Sequence, residues 1–232
     1  MNQPSALVFD LDDTLIAERD YAFSGFRAVA ESYSRILGDP AKSSRFMQEQ
    51  FDGGNKRRVF NALVAEFLQK AERQEEQAAS EDMIKSMINT YRAHKPSITL
   101  LPDAADALLR YRNTHRLGLI SDGPHIMQSR KTAALELSKL IECIILTAEL
   151  GEGLGKPHPR AYEVVADTLG VPHQRCIYVA DNPSKDFVAP RALGWKAIRI
   201  IRPDGIYRDA ETAPNGAPHH VITSLDELDD LL

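Results

Sequence analysis

At 232 residues the chain is long enough for one large domain, or for one domain carrying a substantial insertion. Hydrophobic residues at 43% and charged residues at 26% exclude an intrinsically disordered chain. With 28 basic against 33 acidic residues the formal charge is −5, which speaks against a nucleic-acid-binding surface. It leaves room for a phosphate ligand wherever a metal ion or a few placed cations reverse the field locally.

The opening MNQPSALVFD has no basic segment ahead of an apolar run, so no secretory signal is expected. Ala6–Phe9 reads as a first strand. The next apolar run of the same kind, Leu117–Ile120, lies about 100 residues on, and the interval is helical in pattern. Phe23, Phe26, Ala30, Tyr33 and Leu37 share one face, as do Phe60, Leu63 and Phe67, and then Met83, Met87 and Tyr91. Asp52-Gly53-Gly54-Asn55 marks a turn, and 71–79 is too polar for a core. The simplest account is a helical insertion over residues 17–96 in a core formed by 1–16 and 97–232.

Beyond it the rhythm is strand, helix, strand. Helices are predicted from Pro102 to about Asn113, Pro124 to Leu137, Pro159 to Leu169 and Pro183 to Leu193, with Gly170 and Gly194 as stops. Between them lie the runs Cys143–Leu146, Cys176–Ala180 and Ala197–Ile201. Runs so nearly continuous in apolar residues are those of strands buried on both faces, so an α/β, Rossmann-like doubly wound parallel sheet is expected. Cys143 and Cys176 lack metal or redox spacing and read as buried thiols of a reducing compartment. No stretch approaches the ~18 apolar residues of a membrane span, so a cytoplasmic location without membrane contact is expected. Residues 202–218 read as a surface loop, followed by Val221-Ile222 and a closing helix from Ser224.

The chemistry-bearing residues follow the apolar runs. After the first strand, Asp10 and Asp12 stand two apart, so in an extended segment both carboxylates point to one side. An Asp-rich turn capping the next helix is the plainer alternative. Ser121-Asp122-Gly123 follows the second strand, where a hydroxyl and turn amides suit an anion, although alone it reads as an ordinary turn. Lys156 stands in a glycine-rich loop ahead of a helix; alone it reads as a solvated lysine. Asp181, with Asp186 five residues on, follows the fourth strand, in a position that also suits a helix cap. Together, hard oxygen groups and one cation at successive strand ends are what a phosphate–Mg²⁺ site needs.

In this order the motifs Asp10-Leu11-Asp12-Asp13-Thr14-Leu15, Ser121, Lys156-Pro157 and Asp181 with Asp186 make the chain resemble the haloacid dehalogenase superfamily of phosphohydrolases. The resemblance spans the whole chain, and the helical insertion after the first motif is that of the C1-capped group. It implies a phosphatase for a small soluble phosphomonoester (a sugar phosphate, nucleotide or phosphorylated acid), in which Asp10 is the nucleophile that forms an aspartyl-phosphate. Asp12 is the implied acid and then base. Ser121, Asp122 and Lys156 serve the phosphate. The resemblance further implies that Mg²⁺ would be held by Asp10, Asp181 and the backbone carbonyl of Asp12, and that Asp186 would orient Lys156 or a metal-bound water. The dehalogenases of the family carry Tyr where Asp12 stands, because halide leaves without a proton. Ser121-Asp122 departs from the commoner pairing with Asn and places an extra acid near the phosphate.

Other candidates read as structural. They include the His219-His220 pair, whose members face opposite ways on a strand, His158 at a helix start, the basic run Lys56-Arg57-Arg58, and Trp195. Tyr21 and Phe23 suit either a substrate pocket or helix packing. A phosphomutase of the same fold and a non-catalytic phosphate- and Mg²⁺-binding regulatory module remain as alternatives, and oligomeric state is left open.

Overall fold

The computed structural model describes residues 5–67 and 74–232, with side chains described outside 68–79; the polar stretch 71–79 therefore lies outside the described side chains. The elements, in chain order, are β1 (Ala6–Phe9), α1 (Glu18–Ser32), α2 (Ser34–Leu37), α3 (Pro40–Asp52), α4 (Val59–Phe67), α5 (Gln74–Ala93) and α6 (Pro102–Tyr111). They continue with β2 (Arg116–Ser121), α7 (His125–Ala134), β3 (Cys143–Leu146), α8 (Arg160–Leu169), β4 (Cys176–Ala180), α9 (Val188–Ala192), β5 (Lys196–Ile200) and β6 (His220–Ile222). The chain divides into two compact units, Met1–Arg19 with Ile98–Leu232, and Asp20–Ser97.

The first unit is built on a sheet that, among the described residues, has six strands in the order β3-β2-β1-β4-β5-β6, all paired in parallel. This is the expected doubly wound α/β fold. Two cores explain why its strands are apolar at nearly every position. Leu7, Phe9, Leu117, Leu119, Val179, Ile198 and Ile200 enter one core with Ala104, Leu108 and Leu228. Their neighbours Ala6, Val8, Ile120, Cys176, Tyr178, Ala180 and Ala197 enter the other, against Tyr162, Val165 and Trp195. The period-2 alternation of a strand thus feeds two layers at once. At Gly118 the close approach of α8 requires the missing side chain, since a Cβ there would lie 2.9 Å from Val165 Cγ2 and 3.1 Å from Val8 Cγ2.

The second unit packs its helices around rings. Phe26 meets Phe51, Phe60 and Tyr91 at centroid distances of 6.0, 6.1 and 5.7 Å, and Met47, Leu63 and Met87 are fully buried. Tyr21 is buried in this packing, and Phe23 meets Phe26 at a tilt and Phe51 edge-on. Lys56, Arg57 and Arg58 form an exposed basic stretch.

Three expected helices differ. The one from Pro124 ends at Ala134, where Glu136 takes a left-handed φ of 52°. Pro183 and Ser184 do not open a helix, because the Asn182 side chain accepts from Ser184 N (3.0 Å) and Oγ (2.6 Å) and holds a turn, so α9 begins at Val188. The closing segment is a 3-10 helix, Leu225–Asp230, capped by Ser224 and Glu227. Among the described residues, no helix is long and apolar enough to cross a membrane.

Candidate active site

The ends of β1, β2 and β4 lie side by side because those strands are neighbours in the sheet. Asp10 continues β1, its N–H donating to Val179 O at 2.9 Å. One of its carboxylate oxygens, Oδ1, lies 2.5 Å from Lys156 Nζ. The same ammonium is 2.8 Å from Asp186 Oδ1 and donates to Tyr178 Oη at 3.1 Å. With its side chain 1% exposed, Lys156 is a buried cation between two acids and not the solvated loop lysine its loop alone would suggest. Asp186 is fixed from its other side by Asn182 N–H, at 3.0 Å. Asp181 completes the group: carboxylate oxygens of Asp10, Asp181 and Asp186 lie within 4.8 Å of one another, all buried.

Electrostatics follow from this crowding. Burial opposes the charge on Lys156, but Asp10 and Asp186 outweigh it and hold the ammonium well above its usual range. Burial raises Asp10 to about 7 against the pull of Lys156, with Asp186 and Asp12 adding to the rise. Burial, Asp10 and Asp186 together push Asp181 to about 9. One lysine does not balance three buried carboxyl groups. A hard divalent cation fits that donor set, because all the ligand atoms are oxygens and the excess charge is negative.

A pocket of about 160 Å³ opens over the group, lined among others by Asp10, Asp12, Asp122, Lys156, Asp181 and Lys185. Ser121 ends β2 next to Asp122, and its buried hydroxyl has no hydrogen-bond partner among the described residues. A hydroxyl left in that state favours a ligand that supplies an acceptor. Asp122 is different. Burial would raise its carboxyl, but hydrogen bonds from Lys185 and Thr147, both 2.6 Å, hold it below the ordinary range. An ionised carboxylate offers a phosphoryl oxygen no donor, so Asp122 can meet an anion through its backbone amide while its carboxylate anchors Lys185.

The Asp12 carboxylate stands outside the acidic triad. Its Oδ1 is 2.6 Å from Lys131 Nζ and its Oδ2 accepts from Gln128 Nε2 at 3.1 Å, so any part it plays for a metal falls to its backbone carbonyl. Neither partner was singled out from the sequence; the available signal is their three-residue spacing on the helix after the second motif, which puts both on one face. Glu18 was also missed. It lines the pocket, and burial together with Asp12 raises its carboxyl to about 8 against the pull of Lys131. The loop after β5 contributes Tyr207 to the pocket wall. That loop is tied to the first motif by Arg202, which donates to Thr14 O at 2.6 Å, and by Ile206 N–H, which donates to Asp13 Oδ2 at 2.8 Å. The histidines do structural work: His158 Nδ1 accepts from Arg160 N at 3.1 Å and His219 Nδ1 from Ala197 N at 2.8 Å.

A parallel α/β sheet with lysine-bridged acids at its carboxyl edge defines an enzyme whose site suits an anion held beside hard oxygen ligands. The chain belongs to the haloacid dehalogenase-like hydrolase family, whose pattern it matches over residues 4–194. It is 28% identical to a glyceraldehyde 3-phosphate phosphatase of Methanocaldococcus jannaschii, over 97% of this chain and 96% of that one. A phosphoserine phosphatase of Thermus thermophilus is 26% identical over 61% of this chain and 56% of its own length. The crystal structure of a HAD phosphatase from Thermococcus onnurineus superposes with a TM-score of 0.60 at 21% identity, covering 98% of this chain and 97% of that one, and shares the fold.

Proposed function

We propose that the protein is a Mg²⁺-dependent phosphatase that hydrolyses a small phosphomonoester by way of a phosphoryl group carried on Asp10. The observation that supports this most is the buried Asp10–Lys156–Asp186 chain, with its 2.5 and 2.8 Å contacts, at the sheet edge that also carries the unpartnered Ser121 hydroxyl. Asp10 attacks phosphorus and divides a slow hydrolysis into two displacements. Lys156 and Ser121 hold the equatorial oxygens as charge develops, and Asp186 keeps Lys156 in place. Asp12 protonates the leaving oxygen and then takes a proton from the water that hydrolyses the aspartyl-phosphate. Asp10, Asp181 and the Asp12 carbonyl are the groups that would hold Mg²⁺. When bound, the ion would relieve repulsion between the carboxylate and the phosphate dianion.

The inserted helical unit takes the role of the C1 cap and supplies substrate discrimination. The names of the relatives put short phosphorylated three-carbon compounds at the head of the substrate panel. The free, buried Cys143 and Cys176 accord with a cytoplasmic setting. The test is phosphate release from p-nitrophenyl phosphate and a panel of metabolite monophosphates, with Mg²⁺ and with EDTA. Asp10→Asn is expected to abolish turnover while the protein stays folded, and retained turnover would overturn the mechanism. Isomerised sugar phosphate in place of released phosphate would favour a mutase.

A further inference from the structure

We infer that Lys131 and Gln128 are positioning residues that clamp the Asp12 carboxylate for its work on the leaving group. The inference rests on the role given to Asp12 above. Lysine is almost never fully buried unless paired, yet the Lys131 side chain is 1% exposed, with its Nζ 2.6 Å from Asp12 Oδ1. Gln128, also buried, donates Nε2 to Asp12 Oδ2 at 3.1 Å and reaches Asp122 O at 3.4 Å. One face of α7 therefore holds both oxygens of a single carboxylate that is 116 and 119 residues away in sequence.

The neighbouring backbone is shaped to let this happen. A Cβ on Gly123 would lie 2.8 Å from Gln128 Nε2, so the bare glycine leaves the amide room to reach Asp12. α7 also begins four residues after Ser121. One rigid element thus links the hydroxyl on the phosphate side to the group on the leaving-group side. Asp12 itself sits in a loop, next to Asp13 with its left-handed φ of 49°. An unclamped Asp side chain there would rotate about two bonds, and an error of about 1 Å in a reacting group can cost about 100-fold in rate.

The prediction separates substrates by leaving group. Cleavage of an alkyl phosphate needs a proton delivered to the departing oxygen, whereas p-nitrophenolate leaves without one. For Lys131→Met, kcat/KM on an alkyl monoester, glycerol phosphate being the first choice, is expected to fall about 10–100-fold more than on p-nitrophenyl phosphate. Acid-quenched Lys131→Met enzyme should also hold more phosphate on Asp10 at steady state, because the second displacement needs the same carboxylate. Equal losses on both substrates, or none, would overturn the inference and leave Lys131 a structural residue. Should Lys131→Met fail to fold, Gln128→Met carries the same comparison, with an expected difference of about 3–10-fold from one lost hydrogen bond. Asp12→Asn run alongside distinguishes the two claims. Unchanged alkyl turnover in Asp12→Asn would overturn the role of Asp12 itself; a large loss there with none in either α7 variant would overturn the clamp alone.

Discussion

Replacing Lys156 with Met keeps the shape of the side chain and removes the one charge that separates Asp10 from Asp186. At an effective dielectric of about 20, contacts of 2.5 and 2.8 Å are each worth about 6–7 kcal/mol before desolvation is subtracted. Desolvation of all three groups offsets most of that gross attraction. The variant, however, leaves two buried carboxyl groups facing each other, and breaking a buried pair from one side costs about 3–5 kcal/mol. For a chain of this size that corresponds to a Tm lower by about 6–20 °C.

The sign of the pH dependence makes the prediction sharper. Without Lys156 the folded-state value of Asp10 rises further above the unfolded value of about 4, so the folded variant binds more protons than its unfolded chain. Its stability is therefore retained at low pH and lost as pH climbs from about 4 through neutrality. The gap between wild type and Lys156→Met should widen from pH 5 to pH 8. The chain has one tryptophan, Trp195, buried in the same unit as the site, so urea unfolding followed by its fluorescence reports on that unit. A gap below about 1 kcal/mol, or one that does not change with pH, would refute the account of Lys156 as the cation that neutralises this cluster.

Two further predictions follow from other sites. Asp181, at about 9, binds a proton in the folded metal-free protein that the unfolded chain releases above about pH 4, so its contribution makes stability fall with rising pH up to about 9. Asp181→Asn should flatten that fall in EDTA and abolish the rise in Tm expected of the wild type in millimolar Mg²⁺; parallel pH slopes for the two proteins would contradict it. Gly118→Ala, placed 2.9 Å from Val165 Cγ2, should cost about 1–3 kcal/mol in urea unfolding without changing kcat, and a neutral result would mean that the β2–α8 contact yields freely.

Much of the fold was legible because its signals are local. The runs at Ala6–Phe9, Cys143–Leu146 and Cys176–Ala180 coincide with β1, β3 and β4, since a strand buried on both faces has no polar positions to blur its ends. Local signals misled where a side chain competed with the helix. Pro183-Ser184 looks like a helix start, but the Asn182 carboxamide holds those residues in a turn that presents Asp186 to Lys156. At the site, Asp10, Ser121, Lys156 and Asp181 could be found because each directly follows an apolar run or a glycine-rich turn. Lys131, Gln128 and Tyr207 carry no such mark. One pair looks like ordinary helix-surface residues and the other residue like part of a polar loop.

The sequence by itself determined that a two-faced parallel sheet would form and that acids, a hydroxyl and a lysine would stand at the ends of its strands, because both follow from side-chain alternation over a few residues. Tertiary structure decided which of these groups meet. The strand order places the end of β2 beside β1, which brings α7 to Asp12 across more than 100 residues, while the loop between β3 and α8 reaches past β2 and brings Lys156 to Asp10 across 146. It also turned an exposed-looking lysine into a buried one, since the charge of Lys131 or Lys156 is tolerated in the interior only where folding delivers a carboxylate to it.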